Sequence, residues 1–230
     1  MPANRRQLLP GAGLLLLAGL LASPQSEGFQ RQSWQSYEAR IGDELLRPRV
    51  GDEDRELSQQ SFDIRIREGV GRHFHGSLRL GLLSTRWKRP DEDNSARLRG
   101  QVLGIAGGGR HPRETAIGLT WEAAYDWHNL QGQVDNRDLE LSYREGRVEL
   151  GAEWDLGPIR LEAGSEWRRR DGDESLRENG TRNRSLEDRP GRGQYLMLHL
   201  AMADDGGLSL RYASSTRERS ARLIFSRSLY

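Results

Sequence analysis

From residue 62 onward the chain alternates between apolar and polar positions with a period of two. FDIRIRE (62–68) places Phe62, Ile64 and Ile66 on one face and Asp63, Arg65 and Arg67 on the other. HFHGSLRLGL (73–82) sets Phe74, Leu78, Leu80 and Leu82 against His73, His75, Ser77 and Arg79. ARLRGQVLGI (96–105) sets Leu98 and Val102 against Arg97, Arg99 and Gln101. The longest run is TAIGLTWEAAYDW (115–127), with Ile117, Leu119, Trp121, Ala123, Tyr125 and Trp127 opposite Thr120, Glu122 and Asp126. Alternation of this kind is the period of a strand with unlike faces. LELSYRE (139–145), LSLRY (208–212) and ARLIFSRSLY (221–230) extend the series, QYLMLHLAM (194–202) is a strand apolar on both faces, and no segment carries a convincing helical period.

VELGAEWDLGPIRLEAGSEW (148–167) alternates on both sides of Leu156-Gly157-Pro158 and predicts a hairpin. With Leu156-Gly157 as its two turn residues, Glu153 faces Arg160, Gly151 faces Glu162 and Gly164 faces Glu149. The total is about ten strands, with eight to twelve as the range, at all-β sandwich or barrel spacing. The 24 or so residues after the hairpin, Arg-rich and polar, read as a long exposed loop.

Which solvent the apolar face meets decides the function class. In a soluble sandwich or lipocalin-like barrel the apolar faces are buried in protein; in a transmembrane barrel they meet lipid and the polar faces line the lumen. Aromatic placement favours the membrane. Trp121 and Trp127 lie six residues apart on one face, roughly 20 Å along a strand, and Trp154 and Trp167 stand at opposite ends of the hairpin. These four form the candidate aromatic girdles that flank an apolar band ~25 Å tall. The polar face then supplies a lumen charge network in which Arg65, Arg67, Arg97, Arg99 and Arg160 meet Glu122, Asp126, Glu149, Glu153, Glu162 and Glu166. Charges withdrawn from water need partners.

Composition fits this picture. The 230 residues are 35% hydrophobic and 30% charged, with mean hydropathy −0.80, 27 glycines and a net charge of +1, a thin supply for a conventional core. The balanced charge argues against a nucleic-acid partner. The absence of cysteine excludes a disulfide framework, a thiolate metal site and a lipoprotein anchor. At the N-terminus Arg5 and Arg6 precede the apolar run LLPGAGLLLLAGLLA (8–22), and small residues follow, which is the layout of a secretory signal peptide. The expected organisation is 1–26 signal peptide, 27–60 polar lead-in, with a short strand near Trp34 to Ile41, a small helix or no regular structure as its options, and 61–230 barrel.

The last strand ends on Tyr230 with Phe225 in the same run. This resembles the terminal strand of bacterial outer-membrane proteins, and the whole of 61–230 resembles small outer-membrane β-barrels of the OmpA, OmpX and OmpW kind. The resemblance is architectural. It implies an antiparallel up-and-down barrel in the outer membrane, in contact with lipid and lipopolysaccharide and read by the barrel-assembly machinery through its C-terminal strand. It also implies a structural or interaction role without cofactor, metal or catalytic residue. The alternatives are a soluble periplasmic binding protein, a small porin and a lipid A-modifying enzyme.

Residues that suggest chemistry have plainer readings. His73 and His75 share a strand face, as two metal ligands would, but lack an identifiable third; hydrogen bonding inside the barrel is the reading. His75-Gly76-Ser77 has the His-x-Ser spacing of lipid A deacylase barrels without the surrounding pattern. Asp126 and His128 resemble the acid–base pairs of outer-membrane proteases. Gly104, Gly107, Gly108 and Gly109 read as a turn, because no P-loop lysine follows them. Asn179-Gly180-Thr181 and Asn183-Arg184-Ser185 read as exposed loop. The arginines of that loop, Arg168, Arg169, Arg170, Arg177, Arg182 and Arg184, offer contact with anionic lipopolysaccharide or form a solvated charge run.

Overall fold

A computed structural model describes residues 34–51, 53–70, 73–88, 95–111, 117–134, 137–177, 181–187, 190–202 and 205–229. The expected signal peptide and Tyr230 lie outside these. The strands in chain order are β1 (Gln35–Leu46), β2 (Arg49–Val50), β3 (Glu53–Asp54), β4 (Glu56–Val70), β5 (Phe74–Lys88), β6 (Ser95–Arg110) and β7 (Ile117–Val134). They continue with β8 (Arg137–Asp155), β9 (Ile159–Arg177), β10 (Thr181–Glu187), β11 (Gly191–Ala201), β12 (Gly206–Ser215) and β13 (Glu218–Leu229).

All pairings are antiparallel. The order β1-β4-β5-β6-β7-β8-β9-β11-β12-β13 closes on itself, because β9 pairs with β11 and β13 with β1. The protein is a closed ten-stranded barrel. A closed barrel leaves no sheet edge unpaired, and the sandwich alternative is thereby excluded. β10 continues along the edge of β9 beyond β11, and the β2–β3 hairpin pairs with β10 through Val50 and Leu186.

The strand count matches the expectation, but two strands are redistributed. QSYEARIGDELL, placed in the polar lead-in, is β1, hydrogen-bonded to β13 on one side and β4 on the other. The barrel therefore takes in residues ahead of 61. LELSYRE and the first half of the hairpin form one continuous strand, β8, 19 residues long. Each strand between β4 and the hairpin shifts one place in the order, and HNLQGQVDNRD (128–138) is mostly strand, its first seven residues completing β7 and its last two opening β8. Most of the expected long loop is also strand: Arg168 to Arg177 complete β9, and Asn183-Arg184-Ser185 lies within β10. Gly104, Gly107, Gly108 and Gly109 are in β6, not in a turn.

The hairpin turn differs by one step. Leu156 pairs with Ile159, its N–H donating to the Ile159 carbonyl at 2.8 Å. Gly157 has φ +84° at the first central position, as a type II′ turn requires. The two turn residues are therefore Gly157-Pro158. Glu153 consequently faces Glu162, Gly151 faces Gly164 and Glu149 faces Glu166.

The two ends of the barrel have opposite polarity. Toward the end that holds Gln35 and Leu229, the near end, apolar side chains point outward: Phe62, Ile64 and Ile66 on β4, Leu78, Leu80 and Leu82 on β5, Val148 and Leu150 on β8. Charged residues such as Asp63, Arg65, Arg79, Asp126 and Arg147 point inward and are buried. Toward the far end the same strands reverse. Leu57, Leu83, Leu98, Val102, Leu130, Leu139 and Leu141 are buried inside, while Arg86, Arg97, Arg99, Gln131 and Glu140 are exposed outside. Each strand keeps its alternation; only the assignment of polar and apolar to the two faces changes. The outward band from Ile117 to Trp127 covers roughly 33 Å of strand at ~3.3 Å per residue, about 25 Å of height at a barrel strand's tilt.

Candidate functional site

Inside the near half, arginines and carboxylates from opposite walls meet. Arg40 Nε donates to Asp63 at 2.5 Å, and Arg79 bridges Asp63 at 3.0 Å and Asp126 at 2.8 Å. Arg65 donates to Glu122 at 2.8 Å, and Arg67 lies 3.1 Å from Glu38. Arg147 lies between Glu122 and Glu149, and Arg211 reaches Glu149 at 2.9 Å and Glu166 at 2.6 Å. At a higher level Arg168 and Arg170 hold Glu44, Glu145 and Glu218; Arg168 meets Glu44 at 2.6 Å and also contacts Glu218, and Arg170 meets Glu145 at 2.6 Å. These contacts tie β1, β8, β9 and β13 together across the interior. A buried charge persists only when paired in this way.

Nearest the termini the interior widens into a cavity of about 580 Å³, lined among others by Arg110, Arg160, Glu162, Tyr195 and His199. Here Arg110 lies 2.8 Å and Arg160 4.0 Å from Glu153. Glu162 accepts hydrogen bonds from the hydroxyls of Thr120 (2.9 Å) and Tyr195 (2.7 Å). Above the ion pairs, an apolar cluster occupies the interior of the far half. Leu98, Leu130 and Leu141 have no exposure, and Val50 from β2 and Leu186 from β10 pack into the same cluster.

Of the residues expected in the lumen, Arg65, Arg67, Glu122, Asp126, Glu149, Glu153, Arg160, Glu162 and Glu166 face the interior. Arg97 and Arg99 do not. They lie in the far half, where the polarity is reversed, and stand exposed on the outer wall while Leu98 and Val102 fill the inside. Of the four tryptophans, Trp121, Trp127 and Trp167 are outward and exposed, and Trp154 shares the outward face of Leu150 with partial cover. Trp127 and Trp167 are each the last apolar outward residue before a polar one, Asn129 and Arg169.

Several interior residues escape the sequence reading. Arg168 and Arg170 lie in the expected loop, Glu38 and Arg40 in the part of the lead-in where a short strand is one option, and Glu44 beyond it. Tyr37, Ala39 and Ile41 against Glu38, Arg40 and Gly42 carry the signal for β1, a short alternation with small or polar members.

The suggested chemistry does not assemble. The Ser77 hydroxyl accepts a hydrogen bond from Arg65 at 2.8 Å, and His75 Nε2 lies 3.7 Å from Glu122, beyond hydrogen-bonding distance. Both face the interior. Asp126 is bound by Arg79, and the buried His128 stacks on Tyr143 with ring centroids 4.3 Å apart. Among the described residues no three His, Asp or Glu side chains are grouped to hold a metal.

Solved structures share the fold. The outer membrane protease OmpT from Escherichia coli aligns with a TM-score of 0.54 at 8% identity, covering 90% of this chain and 98% of that one. The transport unit of the autotransporter AIDA-I from Escherichia coli aligns with a TM-score of 0.51 at 8% identity, covering 95% and 96%. No protein family and no curated protein matches the sequence. The architecture is that of an outer-membrane β-barrel.

Proposed function

We propose that the chain is an exported bacterial outer-membrane barrel whose interior is closed by its own side chains, with a structural or interaction role rather than catalysis or solute passage. In this reading the near end faces the periplasm, the apolar band lies in lipid, and the far half projects from the cell. The signal peptide directs export, the C-terminal strand is read by the assembly machinery, and lipid and lipopolysaccharide are the surrounding partners.

The observation that carries the reading is the reversal of polarity along single strands. On β8, Val148 and Leu150 point out below while Leu139 and Leu141 point in above. An outward apolar surface suits lipid and an outward polar surface suits water, so the reversal marks the level where the wall leaves the membrane. A soluble lipocalin-like barrel would keep its apolar face inside along its whole length.

Two measurements test the proposal together. Unboiled protein from the outer-membrane fraction should migrate faster in mild detergent than boiled protein, and planar bilayers containing it should show no stable conductance. Soluble protein without a heat-dependent shift would refute the membrane reading. A large, steady conductance would replace the closed interior with a small porin.

A further inference from the structure

We propose that the outer wall of β5 and β6, just above the apolar band, binds a phosphate-bearing lipid of the outer leaflet through Arg86, Lys88, Arg97 and Arg99. The inference rests on the outer-membrane reading and adds to it a defined site.

Arg86 and Arg97 stand directly across from one another; on the same face Arg99 lies two residues nearer the apolar band on β6, and Lys88 two residues farther from it on β5. All four are exposed. Like charges directly opposite on a sheet repel, so the pairing has a cost that the fold does not itself offset. The flanking strands offer little relief. Ser58 on β4 faces Arg86, and Gln133 and Gln131 on β7 face Arg97 and Arg99. Glu56 faces Lys88 but lies 3.6 Å from Arg47. None of the four cations has an ion-pair partner among the described residues. Arg144 on β8, by contrast, has a carboxylate residue directly across from it in register, Asp171.

Immediately below, the surface is apolar: Phe62, Leu80, Leu82 and Leu103 are exposed on β4, β5 and β6. A groove of about 500 Å³ runs over this wall, with Ile41, Phe62 and Leu82 among its lining and Arg99 at its edge. Cationic edge and apolar floor together match one kind of ligand, an amphiphile whose acyl chains lie on the wall and whose phosphates face guanidinium groups. Arginine binds phosphate oxygens through paired N–H donors. At this height in an outer membrane the ligand is an acylated, phosphorylated glycolipid. The β5–β6 connection contains Asp91, Glu92 and Asp93, which lie outside the described residues; the experiment below also decides whether they neutralise the patch.

Full-length protein in detergent is incubated with bisphosphorylated lipid A or with its dephosphorylated form, and bound lipid is counted by native mass spectrometry. Wild type should retain the bisphosphorylated form about tenfold better. Arg97→Gln with Arg99→Gln should lose that preference, while Arg144→Gln should keep it. A double variant that retains lipid as wild type does would overturn the site, whether because the acidic connection already neutralises it or because the cations serve another purpose. Equal competition by inorganic pyrophosphate would overturn the lipid as occupant in favour of a free phosphate. A heat-dependent shift in the same samples separates the two failures: its presence without lipid preference sinks this site alone, whereas its absence sinks the membrane reading.

Discussion

Gly151 stands directly across from Gly164 on β8 and β9, and the ring of Tyr195 from β11 fills the space their missing side chains leave. A Cβ on Gly151 would strike the Tyr195 hydroxyl, and one on Gly164 would strike the Leu150 carbonyl and lie 2.7 Å from the Tyr195 ring. That ring position lets the hydroxyl donate to Glu162 at 2.7 Å. Gly164→Val should therefore reduce the heat-shifted, folded fraction on refolding, since a backbone carbonyl cannot move aside. Gly76→Ala, where a Cβ would meet nothing within 4 Å, should fold as wild type. Equal yields from the two variants would contradict the register.

Arg168 and Arg169 are sequence neighbours on opposite faces. Arg168 is buried among Glu44, Glu145, Glu166 and Glu218, whereas Arg169 is exposed on the outer wall. Removing one member of a buried pair leaves uncompensated charge and costs ~3–5 kcal/mol, whereas surface changes stay within about 0.5 kcal/mol. Arg168→Met should thus lower the urea midpoint of the refolded barrel markedly and Arg169→Met very little. Similar midpoints for the two would show that the interior cluster adds nothing to stability.

This pair also shows what the sequence reveals and what it hides. Alternation marks the strands, and at Phe62, Ile64 and Ile66 it separates an outward apolar face from an inward polar one in the near half. It does not say which side is inside. In ARLRGQVLGI the same period carries Leu98 inward and Arg97 outward, because the strand there has left the band. Gly146-Arg147 separates LELSYRE from the hairpin in the sequence, yet a glycine within a strand pattern continues the ladder when both neighbours pair on, as they do in β8. The lumen set drawn from the near half faces inward; Arg97 and Arg99, drawn from the far half by the same rule, do not.

The apolar cluster in the far half should behave as a soluble core. Leu98→Ala or Leu141→Ala, each at a position with no exposure, should cost ~2–5 kcal/mol. Leu80→Ala on the outer wall, 61% exposed, leaves no cavity and should cost much less. Urea unfolding of vesicle-refolded protein, followed by tryptophan emission, measures the difference. A larger loss at Leu80 than at Leu98 would mean that the far half lacks a packed interior.

The tryptophans report the two environments separately. Trp127 and Trp167 are exposed at the upper margin of the outward apolar band, and Trp121 is exposed within it; Trp87 is buried in the far-half cluster at 4% exposure. Bromine on lipid acyl chains quenches indoles it can touch, so variants retaining a single tryptophan distinguish the faces directly. In vesicles of brominated phosphatidylcholine, Trp121 should be strongly quenched, Trp127 and Trp167 moderately, since aromatic girdles sit at the headgroup level, and Trp87 hardly at all. Quenching of Trp87 as deep as that of Trp121 would place the far half in the bilayer, and the reversal of polarity along the strands would then need a different cause from a change of solvent.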